Sequence, residues 1–331
     1  MHKPRTILSL LIFVATNANA AAQQTYGHDF VTVGAAGNRG TLPEELPEAV
    51  DVGSYGAVNY EFRITRTEIR ARDWLPFLNA YRPFLQGNPF SSNVTGEWIG
   101  INSFNQYAIV SGAEDCPIEV SWEMATRYCN WLHNDRVSEA WAFASGAYDT
   151  SLFTINIDGS FNHQSRMSGA RYWLPSYDET IKAFYFDPNR YGPGLAGYWL
   201  FPGQSNTPLP MGLPENGGMT NLNWNPATYP LPSAGQYPLA ASAWGLLDTS
   251  GGAIEWTDTR WIDGRMVKVG SRYGSSDYGQ IYQDRIDWFQ RAGLPTSGGE
   301  GFRVVTSIPG PCTAALFAVV YLGIAKERKR R

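Results

Sequence analysis

Cysteine is scarce in this chain of 331 residues, which has only Cys116, Cys129 and Cys312. None forms a C-x-x-C pair and no finger-like spacing occurs, which excludes zinc ribbons and thioredoxin-type redox motifs. Histidine is equally rare. Between the two end segments only His28, His133 and His163 are found, no two of them at i, i+4, so a histidine-held iron centre is disfavoured. A G-x-S-x-G elbow and a phosphate-binding glycine loop are absent, as are internal repeats. No apolar run approaches the roughly 20 residues of an ordinary membrane-spanning helix. Positive charge is thin in the body: seven of the 26 Lys and Arg, but only one of the 30 Asp and Glu, lie in residues 1–22 and 308–331. The stretch between them is acidic by about ten charges, which would repel phosphate backbones, so nucleic acid is not an expected partner.

Aromatics, glycine and proline are plentiful: 14% aromatic residues including 12 Trp, with 34 Gly and 21 Pro. Such a composition can bury a large aromatic core but argues against a helix bundle and for a loop-rich α+β body.

The two ends read as address labels. Residues 1–22 have the form of a secretory signal: Lys3 and Arg5, an apolar stretch from Ile7 to Ala15, and an A-x-A site at Ala18-Asn19-Ala20, with Ala20-Ala21-Ala22 as a second choice. Residues 308–331 run from Pro309-Gly310-Pro311 through an apolar segment, Ala314 to Ala325, to a basic end at Lys326, Arg328, Lys329, Arg330 and Arg331. This order resembles a PEP-CTERM sorting tail, with Gly310 in place of the acid. The resemblance implies a bacterial surface or extracellular protein, membrane-anchored through its tail until an exosortase-type enzyme processes it; a plain C-terminal anchor is the alternative. Export permits a Cys116–Cys129 disulfide, and a buried free thiol at Cys129 is the competing expectation.

Within the body, residues 23–57 are Gly-rich and poorly periodic and are expected to be irregular. Alternation from Tyr60 to Thr65 predicts a strand. Arg70 to Tyr81 predicts a helix with Trp74, Phe77, Leu78 and Tyr81 on one stripe, kinked or delayed by Pro76. Pro117 to Val120 reads as a short strand and Ser121 as the N-cap of a helix with Trp122, Ala125, Cys129 and Leu132 on its inner face; His133 near the end of that helix reads as a surface residue. Ser176-Tyr177-Asp178-Glu179 is a capping box opening a third helix that must stop before Pro188. Ten of the 21 prolines fall between Pro188 and Pro238, which marks a structured loop region. Arg265 to Val269 and Phe302 to Val305 read as closing strands.

Several blocks then occur in order: Pro117 to Trp122 with Tyr128-Cys129-Asn130-Trp131-Leu132; Leu174-Pro175-Ser176; Trp244-Gly245-Leu246-Leu247-Asp248 leading to Gly251-Gly252-Ala253-Ile254-Glu255-Trp256-Thr257; Val269-Gly270-Ser271; and Gly301-Phe302-Arg303-Val304. Together they resemble the formylglycine-generating enzyme (sulfatase-modifying factor) family over residues 58–307. The resemblance implies an α+β fold low in regular secondary structure, the formylglycine-generating variant of the C-type-lectin-like fold.

That family's oxidases hold copper on two cysteines that follow the Gly-Gly-Ser motif. Here those positions are Gly274 and Gly279, which have no ligand atom, so no catalytic residue and no copper are expected. The resemblance also implies a Ca²⁺ site using the carboxylates of Asp248 and Glu255 and the carbonyls of Gly251 and Ala253, with Gly252 standing where the family has Asn. Asp258 and Asp263 form a weaker candidate pair for hydrolysis. Trp122, Trp131, Trp244 and Trp256 are expected in the core, whereas Trp199, Trp224 and Trp288 lie in loops where they could stack on a ligand. The function these features predict is an exported, non-catalytic binding or surface-structural protein whose ligand is an extracellular protein or a carbohydrate. The alternative is an enzyme of the same fold, a sulfatase-modifying oxidase or another oxidoreductase, with a replaced active site.

Overall fold

The computed structural model describes residues 23–48, 53–261, 263–274, 282–288 and 291–308. The signal and tail segments and Gly279 lie outside them. In chain order the strands are β1 (Phe30–Val33), β2 (Phe62–Thr65), β3 (Ile99–Ile101), β4 (Tyr107–Ile109), β5 (Tyr172–Trp173), β6 (Phe186–Asp187), β7 (Gly197–Tyr198), β8 (Glu255–Arg260), β9 (Met266–Val269), β10 (Arg291–Gly293) and β11 (Val305–Ser307). The helices are α1 (Ala71–Tyr81), α2 (Ser92–Thr95), α3 (Trp122–His133), α4 (Ala140–Ala144) and α5 (Tyr177–Tyr185). This is a mixed α+β fold of few helices and small sheets. Among the described residues no helix is long and apolar enough to cross a membrane.

The largest sheet joins the two ends of the body. Its order is β1-β2-β11-β5, all antiparallel, with Val305 opposite Ile64 on one side and Trp173 on the other. β2 shows why a strand forms here: Phe62 and Ile64 alternate with Arg63 and both are fully buried. β1 corrects the expectation of an irregular entry segment. Four residues, Phe-Val-Thr-Val, pair along β2 and bury Val31 and Val33, but they are too short to stand out from a Gly-rich stretch. The early strand starts at Phe62 instead of Tyr60, and the last one runs over Val305–Ser307, three residues beyond its expected start. Residues 117–120 are not a strand. They make only isolated bridges, Pro117 with Arg70 and Val120 with Glu300, because Pro117 has no amide proton to extend a ladder.

The helices begin where capping chemistry dictates. Ser121 accepts from Met124 N at the start of α3, and Ser176 and Glu179 close a reciprocal capping box on α5. Pro76 sits inside α1 without delaying its start. α3 is buried over more of its circumference than a single stripe, with Met124, Thr126, Tyr128, Asn130 and Trp131 covered as well. Asn130 is fully used: its amide donates to the carbonyls of Phe143 and Tyr148, and its oxygen accepts from Tyr148 N.

One core runs through the body, built from rings such as Trp74, Tyr128, Phe77 and Phe302 in mutual tilted and edge contacts. Trp122 and Trp256 cross-tie it. Trp122 Nε1 donates to Thr257 O on β8, and Trp256 Nε1 donates back to Val120 O beside α3. Trp131 is buried with them, whereas Trp244 is only partly covered. Cys116 and Cys129 are both free thiols and both fully buried, so the disulfide alternative does not hold.

Candidate functional site

The loop before β8 brings Asp248, Gly251, Ala253 and Glu255 together, but around an arginine. Arg303, fully buried just before β11, donates through Nε to both oxygens of Glu255 at 2.9 and 3.0 Å. Its Nη1 donates to Arg66 O at 2.6 Å and Thr65 O at 3.3 Å, and its Nη2 to Leu247 O at 2.7 Å and Asp248 O at 3.1 Å. One guanidinium thereby ties β8, the end of β2 and the loop before β8. Glu68 Oε2 stands 3.9 Å from it, and Glu68 Oε1 accepts from Ala253 N at 3.1 Å. Asp248 accepts from Gly235 N at 2.6 Å.

Three buried carboxyl groups around one cation cannot all ionise cheaply. Burial, then the neighbouring Asp248, pushes Glu68 well above the usual carboxylate range. Burial likewise raises Asp248, and raises Glu255 to about 7 against the pull of Arg303. Glu68 was missed in the sequence. It is a lone acid three residues past β2, and nothing in its local pattern foretells that its carboxyl meets Ala253, 185 positions on.

Gly252 also acquires a reason. Its φ is +60°, and a Cβ there would lie 2.1 Å from Glu68 Oε1. The glycine standing where the family has Asn lets the Glu68 carboxyl approach. Gly252→Asn should therefore destabilise the fold by about 1–3 kcal/mol, the usual cost of overpacking, in urea unfolding; Asn tolerates positive φ, so the loss is steric.

Calcium through Asp248, Gly251, Ala253 and Glu255 does not fit this arrangement. Glu255 gives both oxygens to Arg303, and a dication beside a buried guanidinium would be repelled. Among the described residues no group of three or more His, Cys, Asp or Glu is arranged to hold a metal ion. Chelation with EDTA is accordingly expected to leave the melting temperature unchanged; a drop reversed by Ca²⁺ would return the carboxylates to metal.

A second cluster surrounds Gly274. Here Gly274 has φ +71°, and a Cβ would meet Trp224 O at 3.3 Å and the indole at 3.4 Å. Trp224 packs edge-on against Tyr273 with centroids 5.3 Å apart, and Trp98 lies at 6.3 Å on another side. Arg272 Nη2 donates to Glu119 Oε2 at 2.6 Å and to Glu97 Oε2 at 3.1 Å, and Tyr273 OH also donates to Glu97. Burial raises Glu119 to about 8, against the attraction of Arg272, and among the described residues Glu119 Oε1 has no hydrogen-bond partner. In the sequence Glu119 is only part of the 117–120 stretch, and it is the fold that brings Arg272 within hydrogen-bond reach of it.

The other candidates separate. Asp258 is buried, accepts from Arg166 N at 3.1 Å and is raised by burial to about 8. Asp263 is solvent-facing and paired with Arg265. They do not form a hydrolytic pair. His163 is buried, stacked on Phe153, with Nε2 2.6 Å from Glu123 Oε1. His133 Nδ1 accepts from Arg171 N, which makes it a half-buried structural residue. Of the loop tryptophans, Trp199 donates to Asp187 and carries Arg190 over its face, Trp224 donates to Pro230 O, and Trp288 is half-buried.

The fold and the ordered blocks define a class of domain. A profile of the sulfatase-modifying factor enzyme 1-like domain (FGE-sulfatase) matches residues 54–308, and the chain belongs to that family. Two solved structures are similar in fold. CarF is 18% identical, covered to 99% by 86% of this chain, with a TM-score of 0.47. PvdO from Pseudomonas aeruginosa is 15% identical, covered to 100% by 88% of this chain, also with a TM-score of 0.47. A comparison with curated proteins finds no match.

Proposed function

We propose that the chain is an exported, non-catalytic binding protein built on the sulfatase-modifying factor domain. Thiol chemistry supports the reading. Copper-dependent oxidation needs soft thiolate ligands. Gly274, at the first expected cysteine position, is a left-handed turn residue under Trp224. The two cysteines of the described body are buried in the core. Burial pushes Cys116 up to about 12 and Cys129 well above the usual thiol value, so neither supplies a thiolate at neutral pH. Export rests on the form of residues 1–22.

Incubating the purified protein with a C-x-P-x-R peptide, with and without Cu(I), should leave the peptide mass unchanged. A mass loss matching thiol-to-aldehyde conversion would overturn the proposal.

Glu119 favours a second reading, an enzyme with a replaced site. A carboxyl group raised to about 8 keeps its proton at neutral pH and is suited to donate it. Any activity lost in Glu119→Gln but retained in Asp258→Asn, a buried acid elsewhere, would move the assignment to that reading.

A further inference from the structure

α3 presents two charged residues one turn apart, Glu123 and Arg127, to a groove of about 550 Å³. The volume lies within the range of small-molecule sites. Tyr81, Phe84 and Phe143 form one wall, with Tyr81 and Phe84 each against Phe143 at 5.0 and 5.7 Å between centroids, and Met124 lines the floor. Phe84 and Tyr81 are only partly covered by protein.

Arg127 is the unusual member. The residue is half-buried, and among the described residues it has no carboxylate within ion-pair reach, unlike Arg303, Arg166 and Arg272 but like the half-buried Arg63, Arg82 and Arg136. Arg127 Nε donates to the neutral Tyr81 hydroxyl at 3.0 Å, and, unlike in those last three, a buried guanidinium nitrogen, Nη1, has no acceptor among the described residues. A partly desolvated cation with an unused donor is costly, and an anionic group entering the groove would relieve that cost. Glu123, held by His163 through one oxygen, sets a donor-seeking carboxylate a turn away. The body as a whole is acidic, so an anion gains nothing from long-range attraction and must be held by this local contact.

We propose that this groove binds a carboxylate carrying an aromatic side group and an N–H donor, the chemistry shared by N-acylated aromatic amino acids and by peptides ending in an aromatic residue. The carboxylate pairs with Arg127, the ring lies against Tyr81, Phe84 and Phe143, and the N–H points to Glu123. The idea extends the binding reading above. It uses none of the residues around Gly274, so the peptide oxidation assay and the assay below can fail independently.

Titration calorimetry on the full chain tests it, with N-acetyl-phenylalanine, its uncharged amide, and a tripeptide ending in phenylalanine. The free acid should bind at least about tenfold more tightly than the amide, the difference a charge-assisted contact makes. Arg127→Gln should bring acid and amide to parity. Phe84→Ala should weaken both while preserving their ratio, which guards against a variant that merely misfolds. Tighter binding of the tripeptide than of the free acid would assign the groove to chain ends, and its exclusion would assign it to free acids. No binding of either carboxylate at millimolar concentration, equal binding of acid and amide to the unmodified protein, or an acid-to-amide ratio untouched by Arg127→Gln would overturn the proposal.

Discussion

Replacing Arg303 by Met is expected to lower the unfolding free energy by about 3–5 kcal/mol, the usual cost of removing one partner from a buried ion pair. The loss is large because the arginine does more than pair with Glu255. It satisfies carbonyls of Thr65, Arg66, Leu247 and Asp248, and without it those four oxygens and the Glu255 carboxylate are left in the core. Arg303→Lys should recover only a small part, since an ammonium cannot reproduce a planar fork reaching three segments. Adding Glu255→Gln to Arg303→Met should recover more, because the orphaned group is then neutral. Urea unfolding of the three variants measures this. A loss below about 1 kcal/mol in Arg303→Met, the range of a surface pair, would show that the cluster is not the clasp described.

Stability should fall as pH rises from about 5 to about 8. Burial raises Glu255 to about 7 and Glu119 and Asp258 to about 8, and Glu68 and Asp248 move in the same direction. Each of these groups binds more protons folded than unfolded between its ordinary value near 4 and its folded value. Its contribution is therefore complete below the ordinary value and is lost as pH climbs through the folded one. Two histidines oppose the trend. Burial lowers His28 and His133, so near pH 6.5 they favour the folded state as pH rises. Lys182, lowered by burial to about 8, contributes only in a higher window. Asp178 is raised by burial as well, and six acids against two histidines leave the slope negative. Urea unfolding at pH 5, 6.5 and 8 should show it, and Asp258→Asn should flatten its upper part by removing one titrating group. Stability that rises steadily from pH 5 to 8 would refute the raised carboxyl values.

Much of the architecture is local and was therefore readable from the residues alone. Helix starts depend on a side chain three positions from its partner, so Ser121 and the Ser176–Glu179 box mark α3 and α5 without further context. The buried stripe of α1 needs only its own period. Short strands are different. β1 and β11 have four and three residues and exist because β2 lies between them, so neither has a pattern strong enough to fix its limits. The stretch at 117–120 has the composition of a strand but no neighbour that can accept a ladder beside Pro117.

The ordered motifs by themselves determined the family, because they are contiguous signatures. The expectation of no copper came from the sequence alone as well, because no packing can supply a sulfur that Gly274 and Gly279 lack. What Asp248 and Glu255 do was decided only by the tertiary structure. The same two carboxylates could face a cation from solvent or a guanidinium from the chain, and the choice depends on Arg303 arriving from 48 residues beyond Glu255 and Glu68 from far before it. The empty backbone at Gly252 that admits Glu68, and the half-buried Arg127 with no carboxylate among the described residues, are likewise properties of space between distant segments. Sequence order encodes neighbours along the chain, whereas desolvation and charge balance depend on neighbours through the core.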